Sequence, residues 1–540
     1  MINKAVPYSE TLGFSKLYRD FVMSPDRVSR FFPSGDFASV NMDLASRRFP
    51  HDRIAAILRR QNQTWKAPQP VMAQIDKLSD DRAMAVFTGQ QACLFGGSYM
   101  ILLKAMATVK LASRLEHELS VPVAPIFWIA GDDHDLAEVS SVDVFDASGT
   151  ITKLSTDFEA AKVSQPVGTL TYGDSIQREV DRLQALLPDN EFKQDVLRQV
   201  GAIYQPGHKI VDCFARYLHA LTGPLGLVLF CPYDDGFKRE AAPMMQAIIA
   251  KHEAVKGALA ETESGLRAGG YHLQVEKAAS AVHLFYHDPN RRAIHREGDA
   301  YIAGETTFTE TQLHEAIASR PLDFSPDVFT RPLVQASVFP TMAIIGGPAE
   351  IAYYAQLMPL FLLFGMTAPR IVARPSVTLV ERRFEQMMDL HGIGLEDIAG
   401  DFEAVVNRIM AATFPHEFER HLADYNDAMN TGMVKLKEEL TAFDPALAGM
   451  VDQTGGKIDF LLKELGRKVF AAHKKKNKTE RERLYRLCDH LYPNGTLAER
   501  AIAPLYFLSR YGPRLIDFIF DNIRLEETGH QLLMLSDYDG

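Results

Sequence analysis

The stretch Ala83–Val144 constrains the fold more than any other part of the chain. Ala83–Phe87 is a short apolar run, and Thr88-Gly89-Gln90-Gln91 ends it with turn chemistry. Tyr99–Leu119 then carries Leu102, Met106, Val109, Leu111 and Leu115 at helical spacing. Val121–Ala130 is apolar nearly throughout, the pattern of a parallel strand covered on both faces, and it stops at Gly131-Asp132-Asp133-His134-Asp135. Strand, turn, helix and strand in that order make a β-α-β unit. Ligands of an open α/β sheet sit beyond the carboxyl ends of its strands, where both polar turns fall.

The rhythm recurs downstream. Gly226–Cys231 reads as a buried strand ending in Pro232-Tyr233-Asp234-Asp235-Gly236. Asp327–Ser337 reads as a helix, Thr341–Ile345 as a strand ending in Gly346-Gly347-Pro348, Ala349–Phe364 as a helix and Arg370–Ala373 as a last strand. Five parallel strands with helices between them predict a doubly wound α/β core. Between the core elements, weak alternation over Ser148–Gly173 predicts a small β insertion. Helices are expected over Asp174–Leu187, Glu191–Tyr204, Lys209–Leu221 and Phe237 to about Ser264. Tyr271–Val275, Ala281–His287 and Ile294–Ala303 read as strands of a second, antiparallel insertion.

Residues 1–81 read as a mainly helical cap with helices near Arg53–Gln61 and Pro70–Leu78, and 82–375 as the core, with inserted segments at about 148–205 and 265–325. From Arg374-Pro375-Ser376 onward the strand signal fades. Phe418, Leu422, Tyr425, Met429, Met433, Leu436, Leu440 and Phe443 recur every three or four residues, Pro445 interrupts, and Ile458, Leu461, Leu465 and Val469 resume the spacing. Two long antiparallel helices burying these seams are expected within 376–500, an antiparallel coiled coil, followed by a helical tail at 501–540 packing back on the core.

Composition narrows the function classes. The 540 residues carry 58 Lys and Arg against 69 Asp and Glu, a net charge of −11, which argues against general nucleic-acid binding. The one basic run, Lys474 to Arg483, reads as a solvated helix face, with a phosphate or polyanion site as the alternative. Cys93, Cys213, Cys231 and Cys488 are not spaced as zinc ligands or as a disulfide framework. The N-terminus lacks the apolar core of a signal peptide, and Leu357–Met366 is too short to span a bilayer, so a soluble, cytoplasmic protein without membrane partners is expected.

Five blocks, taken together, resemble the bacillithiol-biosynthesis cysteine-adding enzymes, a family of cysteine ligases. They are TGQQACLFGG at 88–97, PIFWIAGDDHD at 125–135, GGPAEIAYYAQL at 346–357, RPSVTLVE at 374–381 and LYPNGTLAERAIAPLYFLSRYG at 491–512. The resemblance implies a Rossmann-like, nucleotidyltransferase-type core, a coiled coil that makes a homodimer, and a reaction joining the carboxyl of cysteine to the amine of glucosaminyl malate. Because a carboxylate is a poor electrophile, such a reaction calls for ATP, with Mg²⁺, to activate it; the acyl-adenylate and the acyl-phosphate both satisfy the chemistry. No structural zinc is expected, since zinc discrimination of cysteine wants thiolate ligands and no cysteine lies beside the acidic turn. The fold is similar to class I aminoacyl-tRNA synthetases, with TGQQ…FGG standing where those carry a His-x-Gly-His motif.

The candidate residues follow. Gly89, Gly96 and Gly97, beside Thr88, allow backbone amides to approach a phosphate near a helix start, and Gln90 and Gln91 both donate and accept. Lys104, about two turns into the helix, is expected to face solvent. Gly131, Asp132, Asp133, His134 and Asp135 form the sharpest cluster: carboxylates for an ammonium group, a ribose or Mg²⁺, and an imidazole for a proton or a leaving phosphate. Gly346, Gly347, Glu350 and Tyr353 open the helix after the fourth strand, with Gln335 one element earlier. Arg374 and Ser376 offer contacts to phosphate or carboxylate. Asn494, Gly495, Arg500 and Arg510 either pack the coiled coil back against the core or line a second anion site. Cys93 reads as a buried structural thiol. Three readings stay open: an ATP-using ligase, a nucleotidyltransferase acting on another small molecule, and a non-catalytic nucleotide-sensing scaffold.

Overall fold

The computed structural model describes residues 3–33, 35–158 and 164–538. The chain forms two compact units, Met1–Arg382 with Pro493–Gly540, and Arg383–Tyr492.

The first unit is built on a five-stranded parallel sheet of β1 (Met84–Gln90), β2 (Val123–Ile129), β3 (Val228–Phe230), β4 (Thr341–Gly346) and β5 (Arg370–Ala373). Their spatial order is β5-β4-β1-β2-β3, with every neighbouring pair parallel. This is the Rossmann order, and the direction of winding reverses between β1 and β4. All seven residues of β2 and all six of β4 are buried, which is why these strands appear in the sequence as unbroken apolar runs. Helix α1 (Met100–Leu119) follows β1, α2 (Asp235–Ala250) follows β3, α3 (Arg331–Val338) precedes β4, and α4 (Pro348–Leu363) follows it. Pro348 at the first position of α4 loses no hydrogen bond there, and the Glu350 carboxylate accepts from the Gly347 N–H at 2.8 Å.

Between β3 and β4 the structure departs from expectation in three places. The helix expected from Phe237 to about Ser264 is two helices, α2 and His252–Ala268. Tyr271–Val275 is no strand, because the side chain of Gln356 supplies its hydrogen bonds: Gln356 Oε1 accepts from the Gln274 and Val275 N–H groups at 3.1 Å and Nε2 donates to the Val275 carbonyl at 2.9 Å. The second insertion is a five-stranded antiparallel sheet, in spatial order Thr306–Thr309, Ala300–Ala303, Asn290–Glu297, Ala281–Asp288, Phe324–Pro326. In the first insertion Ser141–Phe145 pairs with Ile151–Ser155. The remainder of that expected β region crosses residues 159–163, outside the described residues.

The region expected to turn helical after Arg374 opens instead on a strand. Val377–Val380 runs parallel to Gly529–Met534, which pairs antiparallel with Asn3–Pro7, so both chain ends join one small sheet. These short strands find partners far away in sequence, and local pattern carries no record of that.

The second unit holds two long helices, α5 (His416–Phe443) and α6 (Ala448–Lys476), joined by the tight turn Pro445–Leu447. They lie antiparallel: Lys437 pairs with Asp452 at 2.7 Å, Met433 packs over Gly455 and Leu422 over Gly466. The expected burial of both seams does not occur. No residue of α5 is buried and only Val451 of α6 is. A lone two-helix hairpin turns one side of its seam inward and leaves the rest outside. In the basic run, Lys474 donates to Asn407 at 3.1 Å and Lys478 pairs with Glu482.

Candidate functional site

The carboxyl ends of β1, β2 and β4 open into a cavity of about 540 Å³, within the size range of small-molecule sites. Gly89, Gln90, Gln91, Asp132, Asp133 and His134 line it from one side of the switch point, and Gly347, Glu350, Tyr353 and Arg374 from the other. Two buried ion pairs brace its base. Lys104, only 1% exposed and not in solvent as expected, donates to the Gly89 carbonyl at 2.5 Å, to Gln90 Oε1 at 3.1 Å and to Glu350 Oε2 at 2.7 Å. All three ammonium hydrogens are used, so this lysine ties the end of β1 to the start of α4 across the switch point. Burial lowers its proton affinity and Glu350 opposes that. Lys238 of α2 does the same for the second strand, donating to Asp132 Oδ2 and to the Phe324 carbonyl, both at 2.7 Å.

Asp133 is held as a carboxylate. Burial works against its charge, but the Arg291 guanidinium, the backbone N–H of His134 and the Gln91 amide more than offset it and keep the group well below the usual carboxylate range. Arg291 reaches in from the antiparallel insertion, its guanidinium 3.6 Å from the centre of the Phe285 ring and 3.1 Å from Asp133 Oδ1. Glu138, at the far edge, accepts from Gln90 Nε2 at 2.5 Å, and burial raises its proton affinity. Arg331 stacks over Trp128 and donates to the Tyr353 hydroxyl at 3.2 Å; burial pushes that phenol up to about 12. Lys277 and Arg500 complete a cationic wall with Arg331 and Arg374.

Eight expected residues lie outside the cavity wall. The Thr88 hydroxyl is buried and donates to the Ile345 carbonyl at 3.0 Å, stitching β1 to β4. Gly96 and Gly97 have positive φ and pack against Tyr217 and against Cys93 and Ile101, so they serve a tight turn and close packing and bring no amide to a phosphate. Gly131 packs against the Cys231 sulfur, and Gly346 against Glu350 and Ile351. Asp135 caps the short helix Leu136–Val139. Gln335 is buried and accepts from Arg331 at 3.0 Å, a contact behind the wall. Ser376 donates to Glu499 at 2.7 Å. The same Glu499 pairs with Arg374 at 2.7 Å, so the arginine expected to meet phosphate is tied to a fully buried carboxylate of the tail. Among the tail residues, Arg500 lines the cavity while Asn494 donates to Asp143 and Arg510 pairs with Glu381. Cys93 is buried, and burial pushes its thiol far up. Sequence reasoning passed over Lys104, Glu138, Lys277, Arg291 and Arg331.

The sheet order, the cavity at its switch point and the helical hairpin define a Rossmann-like protein with an appended coiled coil. Two family models match in succession: the N-terminal Rossmann-like domain of bacillithiol biosynthesis BshC over residues 1–375, and its C-terminal coiled-coil domain over 377–535. The chain belongs to this family. A relative from Salinibacter ruber is 31% identical over 534 residues, covering 96% of each chain. One from Koribacter versatilis is 30% identical, covering 96% of this chain and 98% of its own, and one from Geobacillus thermodenitrificans is 31% identical over 88% of each. All three are described as "Putative cysteine ligase BshC". Among the described residues no helix is long and apolar enough to cross a membrane, and no group of three or more His, Cys, Asp or Glu is placed to hold a metal ion.

Proposed function

We propose that the protein is an amide-forming ligase that joins the carboxyl of cysteine, activated with ATP, to the amine of glucosaminyl malate. The observation that carries this reading is the cavity at the switch point, which opposes a carboxylate cluster to a wall of cations in a chain of the BshC family. Both substrates and the nucleotide carry anionic groups, and Lys277, Arg331 and Arg500 offer charge to phosphate and to the malate carboxylates. Gly347 fits a close approach: a Cβ there would lie 3.3 Å from Arg374 Nε. ATP supplies the leaving group that turns the carboxylate into an electrophile. What this chain supplies is orientation, exclusion of water and proton handling. The attacking amine must shed a proton. Glu138 makes no ion pair among the described residues and has a raised proton affinity, which suits it to accept that proton. Asp133, stabilised as an anion by Arg291, suits the substrate's ammonium or hydroxyl groups. A homodimer through the outer faces of α5 and α6 belongs to the same proposal, since a second hairpin would cover the exposed seam.

The test is to incubate the protein with ATP, Mg²⁺, cysteine and glucosaminyl malate and scan by mass spectrometry for bacillithiol and for AMP or ADP. Product is expected, and Asp133→Asn is expected to lower kcat/KM about 10²- to 10³-fold. No product and no nucleotide consumed would overturn the ligase reading; an unchanged Asp133→Asn would overturn the site.

A further inference from the structure

Among the described residues His134 is the one imidazole in the cavity wall, and the hydrogen bonds around it decide which nitrogen carries its proton. Four groups face it: Asp133 on its own turn, and Phe285, His287 and Arg291 on the antiparallel insertion. Arg291 Nη1 lies 3.0 Å from His134 Nδ1 and 3.1 Å from Asp133 Oδ1. A guanidinium nitrogen only donates, and Nη1 has two hydrogens, one for each acceptor. Asp133 Oδ1 also accepts the backbone N–H of His134 at 2.8 Å, so its two acceptor positions are filled. The alternative proton position, Nδ1–H toward Asp133 Oδ1, is longer at 3.3 Å. It would compete for a full oxygen and set an N–H against the Arg291 hydrogen. Counting donors therefore selects Nδ1 as acceptor.

The remaining donors of Arg291 hold it in place. Nε donates to Ser325 Oγ at 3.2 Å and Nη2 to the Pro326 carbonyl at 3.3 Å. Ser325, accepting from Arg291, turns its own hydrogen to His287 Nε2 at 2.8 Å. The guanidinium is 8% exposed and stacked on Phe285, so it has no second orientation in which all these bonds survive. His134 Nε2 makes no hydrogen bond among the described residues and is left to the cavity.

We propose that Arg291 is a positioning residue that fixes His134 as its Nε2–H tautomer, so that His134 acts as a hydrogen-bond donor to negative charge developing on the reacting acyl or phosphoryl oxygen. It is then not the base that takes the amine's proton. The role in catalysis rests on the ligase reading; the tautomer does not. The oxygen gains charge as the amine adds to the activated carbonyl and loses it as the leaving group departs. A preset N–H aimed at it stabilises that state without a proton changing hands.

The tautomer is read directly by ¹⁵N-detected NMR of histidine-labelled protein at a pH where the imidazole is neutral. Wild type is expected to show His134 protonated on Nε2. Arg291→Met, which keeps length and removes every donor, is expected to shift His134 toward the Nδ1–H form paired with Asp133. Arg291→Lys retains a donor and covers the case in which the methionine variant does not fold; it is expected to hold the Nε2–H form in part. In turnover, Arg291→Met is expected to lower kcat about 10- to 100-fold with KM little changed, and Arg291→Lys to recover part of that. His134→Gln, which still donates, is expected to retain at least tenfold more activity than His134→Ala. An Nδ1–H signal in wild type overturns the proposal, as does an Nε2–H signal that survives unchanged in Arg291→Met. Equal loss in His134→Gln and His134→Ala overturns the donor role. An Nε2–H signal without ligase activity in any variant overturns the ligase reading and leaves the tautomer assignment standing.

Discussion

In the α/β unit Lys104, Lys238 and Arg374 are each 1% exposed, whereas in the hairpin Phe443 is 84% exposed and Leu461 59%. One unit puts cations inside and the other puts hydrocarbon outside, each against the usual preference. The α/β unit meets the cost of burial by pairing every such cation with a carboxylate, Glu350, Asp132 and Glu499, at 2.7 Å. The hairpin has no internal remedy, because two helices cannot surround a seam. Buried charge at strand ends prepares a surface for a small polar ligand; exposed hydrocarbon at helical spacing prepares one for another helix. The two departures point to two different kinds of partner.

The largest effect that separates the units is acidification. Burial is the first cause that pulls His219 down to about 3, His287 to about 2 and His530 to about 4, and all three lie in the α/β unit. Their folded values are depressed below the ordinary 6.5, so the unfolded chain binds protons that the folded chain refuses. The stability they contribute is present above pH 6.5 and is lost as pH falls toward 4. Three such protons give a slope of at most about 4 kcal/mol per pH unit. Trp65 and Trp128, the two tryptophans of the chain, both sit in this unit, so their fluorescence reports its unfolding alone. Urea midpoints followed by tryptophan emission are expected to drop steeply between pH 6.5 and pH 5; a flat profile would break the assignment of these histidines as buried and neutral.

Next in size is the pair at the end of β5. Glu499 Oε1 accepts from Arg374 and from Ser376, and Oε2 from the Val377 N–H, each at 2.7 Å. Glu499→Gln leaves the Arg374 charge buried and uncompensated, and a loss of about 3–5 kcal/mol is expected in chemical denaturation. A loss below about 1 kcal/mol would mean that water reaches Arg374 freely, and the contrast with the hairpin would shrink accordingly.

The same contrast explains what the sequence made legible. Strands covered on both faces, as β2, β3 and β4 are, leave continuous apolar runs, and the core strands with the polar turns at their ends could be read locally. Ten of the expected site residues line one cavity because the segments after β1, β2, β4 and β5 converge by topology alone. Lys104 was misjudged because a lone lysine on a helix normally faces water; here α1 is buried round most of its girth and the ammonium group reaches a strand end. Arg291 and Arg331 lie outside any motif and enter the cavity only through the packing of the insertion and of α3. Arg374 and Ser376 sat at the right strand end, yet their partner Glu499 is more than 120 residues away, and no local pattern records that pairing.

The hairpin carries the smallest effect on stability and the clearest one on assembly. Leu461 is exposed in the single chain, so Leu461→Glu removes no internal contact of consequence and is expected to change unfolding free energy by no more than about 0.5 kcal/mol. If the seam of α5 and α6 is covered by a second copy, the same substitution buries a carboxylate among apolar side chains at that contact, and the dimer is expected to dissociate. Light scattering of the wild type is then expected at about twice the chain mass of 60.3 kDa, and of the variant at the chain mass itself. A wild type that already scatters as a single chain at micromolar concentration would remove the second copy from the comparison and leave the exposed seam for a partner of another kind.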